Sequence, residues 1–193
     1  EPSASQGFGY NVALSDVYLA VGATNYDEPS ATNNNCGAVF LFHREDNVWV
    51  FKQKLLVSSP TDNDFFGEEL ALDGNTLVVG CKECDGSSPN SGAAYVFEYD
   101  GATWTETAKL APVVMGYGDH FGTSVDIDQD IIIVGADREE PGGLSQVGTA
   151  FVFEKSEGIW TEIQQLNPPI PEAEGANFGN QVRIHDDKIF IAA

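Results

Sequence analysis

One 16-residue block occurs four times without a gap in this chain, and no other feature limits the fold as strongly. It reads FGYNVALSDVYLAVGA from Phe8, FGEELALDGNTLVVGC from Phe66, FGTSVDIDQDIIIVGA from Phe121 and FGNQVRIHDDKIFIAA from Phe178. The starts lie 58, 55 and 57 residues apart. A second block follows each of the first three copies. Gly37, Gly92 and Gly148 open the segments GAVFLF, GAAYVF and GTAFVF. Twelve residues after each Gly stands a Trp (Trp49, Trp104, Trp160), and eighteen after it a Leu (Leu55, Leu110, Leu166). Landmarks held at fixed offsets mean one supersecondary unit repeated along the chain.

Each unit reads as four short strands. Val12 and Leu14, Leu70 and Leu72, Val125 and Ile127, and Val182 and Ile184 alternate with small or polar residues, the period of a strand. A tight turn follows, clearest at Asp73-Gly74-Asn75. The second strand (77–79 or 131–134) and the third (93–97) are apolar on both faces, and a polar hairpin at 99–102 leads to the strand that carries the Trp. No stretch shows helical periodicity. Strands apolar on both faces need cover on both. A repeated meander obtains it when each sheet packs between copies of itself, which is the β-propeller arrangement. A flat β-solenoid suits so long a repeat less well.

The expectation is an all-β chain of four-stranded antiparallel propeller blades forming one region over 1–193. Complete repeats fall at 8–65, 66–120 and 121–177, with a half blade at 178–193. The landmarks Phe8, Gly9, Phe66, Gly67, Phe121, Gly122, Phe178 and Gly179, with the three Trp, are read as structural.

The Phe-Gly opening, the strand ending in Val-Gly-Ala and the Gly-Ala-Val-Phe-Leu-Phe strand resemble FG-GAP repeats. These are the blades of the integrin α-chain head and of many bacterial and algal surface proteins. The likeness runs over 8–193. It departs at the Pro of the GAP triplet, where Thr24, Lys82 and Asp137 stand, and in the last copy, where Ala192-Ala193 replaces Gly-Ala. The resemblance implies a closed ring of about seven blades, so the chain would supply roughly half of one. The remaining blades are expected from further repeats on a longer polypeptide, the simpler arrangement. The other arrangement has separate chains completing one another's blades through an open sheet edge. That would give a dimeric ring or a filament. With Glu1 in place of an initiator Met, the chain is expected to be mature or truncated.

Many such repeats hold Ca²⁺ in an Asp-x-Asn-x-Asp-Gly-x-x-Asp loop between the first two strands. The corresponding stretches here are 15–18, 73–76, 128–130 and 185–188, tight turns too short to supply about six to eight oxygens. No calcium cage, other metal site or cofactor is therefore expected. The acidic loops Asn25-Tyr26-Asp27-Glu28, Asp85-Gly86 and Asp137-Arg138-Glu139-Glu140 offer at most weak Ca²⁺ binding, and solvated loops are the plainer reading.

Charge excludes further classes. Thirty acidic residues against nine Lys and Arg give a net −21, which leaves no basic surface for nucleic acid or for a polybasic membrane anchor. No apolar run is long enough for a helix to cross a membrane. An apolar content of 42% excludes a disordered acidic tail. The acidic, Lys-poor surface leans toward an extracellular setting. Cys81 and Cys84 form a Cys-x-x-Cys, with Cys36 elsewhere. No second Cys/His pair makes this a zinc site, so a disulfide is expected, either between these two or from Cys36 to one of them.

No nucleophile elbow, zinc-protease helix or phosphate loop is present, and the acid pairs Glu68-Glu69 and Glu139-Glu140 read as solvated surface. The chain has no N-glycosylation sequon. The leading expectation is a non-catalytic extracellular module for adhesion or structural assembly, with other protein chains or copies of itself as partners. The alternatives are a carbohydrate-binding propeller, with Tyr10, Tyr26, Tyr117 and Asn33-Asn34-Asn35 as suspects, and an accessory propeller of a larger extracellular protein.

Overall fold

The computed structural model describes residues 6–28, 34–140, 146–169, 175–186 and 188–193. Among the described residues the fourteen elements are all strands. Blade 1 comprises β1 (Phe8–Leu14), β2 (Tyr18–Ala23), β3 (Ala38–Glu45) and β4 (Val48–Leu55). Blade 2 comprises β5 (Glu69–Asp73), β6 (Thr76–Cys81), β7 (Ala93–Tyr99) and β8 (Trp104–Leu110). Blade 3 comprises β9 (Phe121–Asp128), β10 (Ile131–Ala136), β11 (Thr149–Ser156) and β12 (Ile159–Leu166), and β13 (Gln181–His185) and β14 (Lys188–Ala192) make a half blade. Every sheet is an antiparallel meander in chain order. The first strands touch in succession, β1 with β5, β5 with β9 and β9 with β13, so they line the inner side of an incomplete propeller.

Apolar layers fill the seams between blades. Ala20, Val39 and Leu41 of blade 1 pack on Phe66, Leu77, Val79 and Phe97 of blade 2. Val78, Ala94 and Val96 pack on Phe121, Val125, Ile132 and Phe153 of blade 3. Ile133 and Ala150 pack on Val182, Ile184 and Ile191 of the half blade. The central strands are therefore buried on both faces, which is why they are continuous apolar runs.

Val12 and Leu14 differ from their repeat counterparts by being exposed, because the face of blade 1 they occupy has no blade against it. Trp49 is partly exposed with the Arg44 guanidinium over its ring, whereas its counterpart Trp104 is buried under blade 1. A β-bulge without a mark in the sequence recurs where the third and fourth strands pair, at Leu41/Phe42, Val96/Phe97 and Val152/Phe153. It leaves Lys52, Thr107 or Ile163 as the extra outer-strand residue and adds twist there.

Candidate functional site

In each meander the tight turns lie on one rim and the longer connections on the other. Among the described residues the loop rim gathers 24–28, 34–37, 56–68, 82–92, 111–120, 137–140 and 146–148. One interlock repeats along it: Phe66, Phe121 and Phe178 donate their backbone N–H to the carbonyls of Cys36, Ser91 and Val147 in the preceding blade. The loop rim is thus built by the same signal that built the blades, and its variable side chains are carried on a fixed frame.

The structure joins Cys81 to Cys84, whose Cα atoms are 5.4 Å apart. Cys36 is free and buried, and its thiol donates to the Tyr26 carbonyl at 3.3 Å, so the alternative pairing through Cys36 is not the one formed. The short bridge holds Glu83 on a tight loop. Reduction is expected to lower stability by about 2 kcal/mol, as for a very small closed loop, without unfolding the chain. Urea denaturation with and without reductant measures it.

Glu83 faces a group that the sequence reading missed. His120 lies at the seam of blades 2 and 3, with Glu83 Oε1 at 3.6 Å from Nε2 and Asp137 Oδ1 at 3.3 Å from Nδ1. Asp137 Oδ1 is buried and in ion-pair range, but not aligned for a hydrogen bond. The only signal was positional, since His120 immediately precedes one landmark and Asp137 follows the end of another.

The acidic loops spend their carboxylates on their own folding. Asp27 accepts from the Asn35 N–H, Asp85 from the Asn90 N–H, Glu28 pairs with Lys54, and Glu139 accepts from the Thr149 hydroxyl. Among the described residues no three His, Cys, Asp or Glu side chains are grouped to hold a metal. The acid pairs correct their reading as solvated surface, because Glu68, Glu69 and Glu139 are each partly buried. Glu68 binds Lys82 at 2.8 Å.

Burial pushes the carboxyls of Asp64, Glu69, Asp119 and Glu139 above the usual carboxylate range. Repulsion adds to this, from Glu68 on Glu69, from Glu140 on Asp119 and from Asp119 on Glu139. A raised native value means that the folded chain binds protons more tightly than the unfolded chain, so stability is gained as pH falls through the native values. Glu98 has the opposite sign: burial opposes ionisation, but Lys155 and Thr107 outweigh it and hold the carboxyl low. Its contribution is lost as pH falls through that lowered value. The melting temperature is expected to be higher at about pH 5 than at about pH 8 and to fall again below about pH 4. A thermal melt series across that range checks it.

The residues named as sugar-binding suspects do not meet in one place. Tyr10 donates to Glu68, the Tyr26 hydroxyl accepts from Lys54, Asn35 binds Asn63, and Tyr117 stands on another loop. Asn33 lies outside the described residues. A cleft of about 440 Å³ opens instead on the turn rim between blades 1 and 2, among Tyr18, His43, Tyr99 and Trp104. The Gln53 amide closes it by pairing with the Trp104 backbone at 2.8 and 2.9 Å. At the next seam the corresponding corner carries the Lys155–Glu98 pair, 2.9 Å long, beside Trp160.

The FG-GAP repeat family model matches residues 49–97 and 104–153, just over half of the chain. No curated protein matches it.

Proposed function

The chain belongs to the FG-GAP repeat family, a family of propeller-like modules often engaged in protein interactions, and from that premise we propose that it is a non-catalytic extracellular module for adhesion or structural assembly. One observation carries the reading. The open face of blade 1 presents Phe8, Val12 and Leu14 at the positions of Phe66, Leu70 and Leu72, which the seam between blades 1 and 2 covers. That face has the chemistry of a blade seam, and another blade is the partner it fits. Phe190 presents the matching open face on the half blade. The Cys81–Cys84 bridge supports an oxidising, extracellular setting.

Denaturing mass spectrometry of the native polypeptide, with electron microscopy of the undisturbed assembly, tests the reading. Both open faces should be covered, in a closed ring or in a continuous stack. A mass well above 20.8 kDa assigns the covering blades to the same polypeptide, and a mass near it assigns them to other copies. Native material with both faces bare would overturn the reading.

A second reading, carbohydrate binding, is favoured by the cleft at Tyr18, His43, Tyr99 and Trp104, which combines aromatic walls with a few polar groups. A glycan array with wild type and Tyr99→Ala tests it, binding lost in the variant being the expected result. No saccharide bound by the wild type would dismiss it.

A further inference from the structure

Two connections on the loop rim, 56–65 and 111–120, have the same length and the same internal frame. Each buries an anchor at its start, Val57 or Pro112, and an aspartate near its end folds the loop back, with Asp64 accepting from Thr61 N–H and Asp119 from Gly116 N–H. Phe65 and His120 then both take positive φ. Their tips differ. The first carries Ser58, Ser59 and Asp62, and the second carries Val113, Val114 and Tyr117 at those same places. The latter three are 91%, 84% and 77% exposed.

Folding does not ask for apolar residues there, since the polar loop builds the same frame. The apolar tip is also held firmly: Met115 beneath it is buried, its N–H donates to the Ser87 hydroxyl at 3.0 Å, and Gly118 N–H donates to the Asn90 carbonyl at 2.9 Å. Asp119 at the base of the loop is repelled by Glu140, and Glu139 by both, three carboxylates against Arg138 on the same loop, so the ground beneath the tip is net negative.

We propose that Val113, Val114 and Tyr117 form a docking knob for a protein partner that offers an apolar socket rimmed by Lys and Arg. This rests on the reading of the chain as an interaction module and names the surface and the partner's chemistry. An anionic lipid surface is disfavoured by the same negative ground, and a second copy, with a net −21 of its own, lacks the basic rim. Exposed aliphatic and aromatic side chains on a rigid loop lose little freedom on binding, which suits them as anchors.

The test uses short synthetic peptides with a Leu/Val/Phe core flanked by Lys and Arg, by Ser, or by Glu. Binding is measured for the wild type, for V113S/V114S/Y117D and for Val114→Ser alone. The basic set should bind best and weaken as salt is raised, and the triple variant should lose at least about tenfold in affinity at unchanged melting temperature. Unchanged binding by the variants, preference for Ser or Glu flanks, absence of peptide binding, or binding to phosphatidylcholine vesicles instead would overturn the proposal. A change in self-association in the variants would point to a second copy and also overturn it. Blade covering seen by microscopy is unaffected by any of these outcomes, so the two readings fail separately.

Discussion

Gly92→Ala is expected to cost about 4 kcal/mol or more, enough to leave much of the chain unfolded at room temperature. Gly92 sits where blade 2 meets blade 3, in a parallel bridge to Phe121, with φ at +88°. A Cβ built there falls 2.0 Å from the Phe121 carbonyl oxygen and 2.6 Å from its nitrogen. Both are backbone atoms of a strand locked between its neighbours, so no side chain can swing aside. The left-handed backbone alone costs about 1 kcal/mol for a residue with a Cβ. The overlap is relieved only by moving one blade away from the other, which opens the apolar layer between Val78, Val96, Phe121 and Ile132. Gly101 supplies the control: its φ is +99° but nothing lies within 4 Å of its Cβ position. Urea denaturation of both variants should separate them by several kcal/mol. If Gly92→Ala loses no more than Gly101→Ala, close blade approach is not what the glycine provides.

The second large effect contrasts two equivalent phenylalanines. Phe121 is 0% exposed and stacks edge-on against Phe151 and Phe153, so Phe121→Ala is expected to cost about 3–5 kcal/mol. Phe8 holds the same repeat position and also touches its aromatic neighbour, Phe40, yet it is 40% exposed on the open face of blade 1. Phe8→Ala in this chain should cost about 1 kcal/mol or less. The difference measures what a neighbouring blade contributes to one side chain. Adding material that covers blade 1 should raise the Phe8→Ala cost toward the Phe121 value. Equal costs in the isolated chain would mean that the open face is already covered.

Much of the fold was legible in the residues. Alternation at Leu70-Ala71-Leu72 and the unbroken run at Ile131–Val134 identified inner and central strands because strand period and two-sided burial leave direct marks on sequence. The recurring bulge opposite Leu41, Val96 and Val152 left no such mark, since Lys52, Thr107 and Ile163 share no chemistry. The candidate sites were far less legible. His120, Glu83 and Asp137 come from different loops and meet only across a seam. The cleft by Tyr18, Tyr99 and Trp104 joins side chains of two blades, whereas of the tyrosines singled out in the sequence Tyr10 bonds Glu68 of the next repeat, Tyr26 bonds Lys54 of its own, and Tyr117 stands apart.

The sequence by itself determined the unit, its four strands, its repeat count and the residues that face a seam, because propensity, turn chemistry and apolar period act within a few residues. Tertiary structure alone decided which of those seam faces are covered. It also paired Cys81 with Cys84 while turning Cys36 onto Tyr26, and brought the histidine to its two carboxylates. The physical reason is that burial and close approach depend on the neighbouring blade in space. Phe8 and Phe121 open the same block and differ only in whether a blade lies against them.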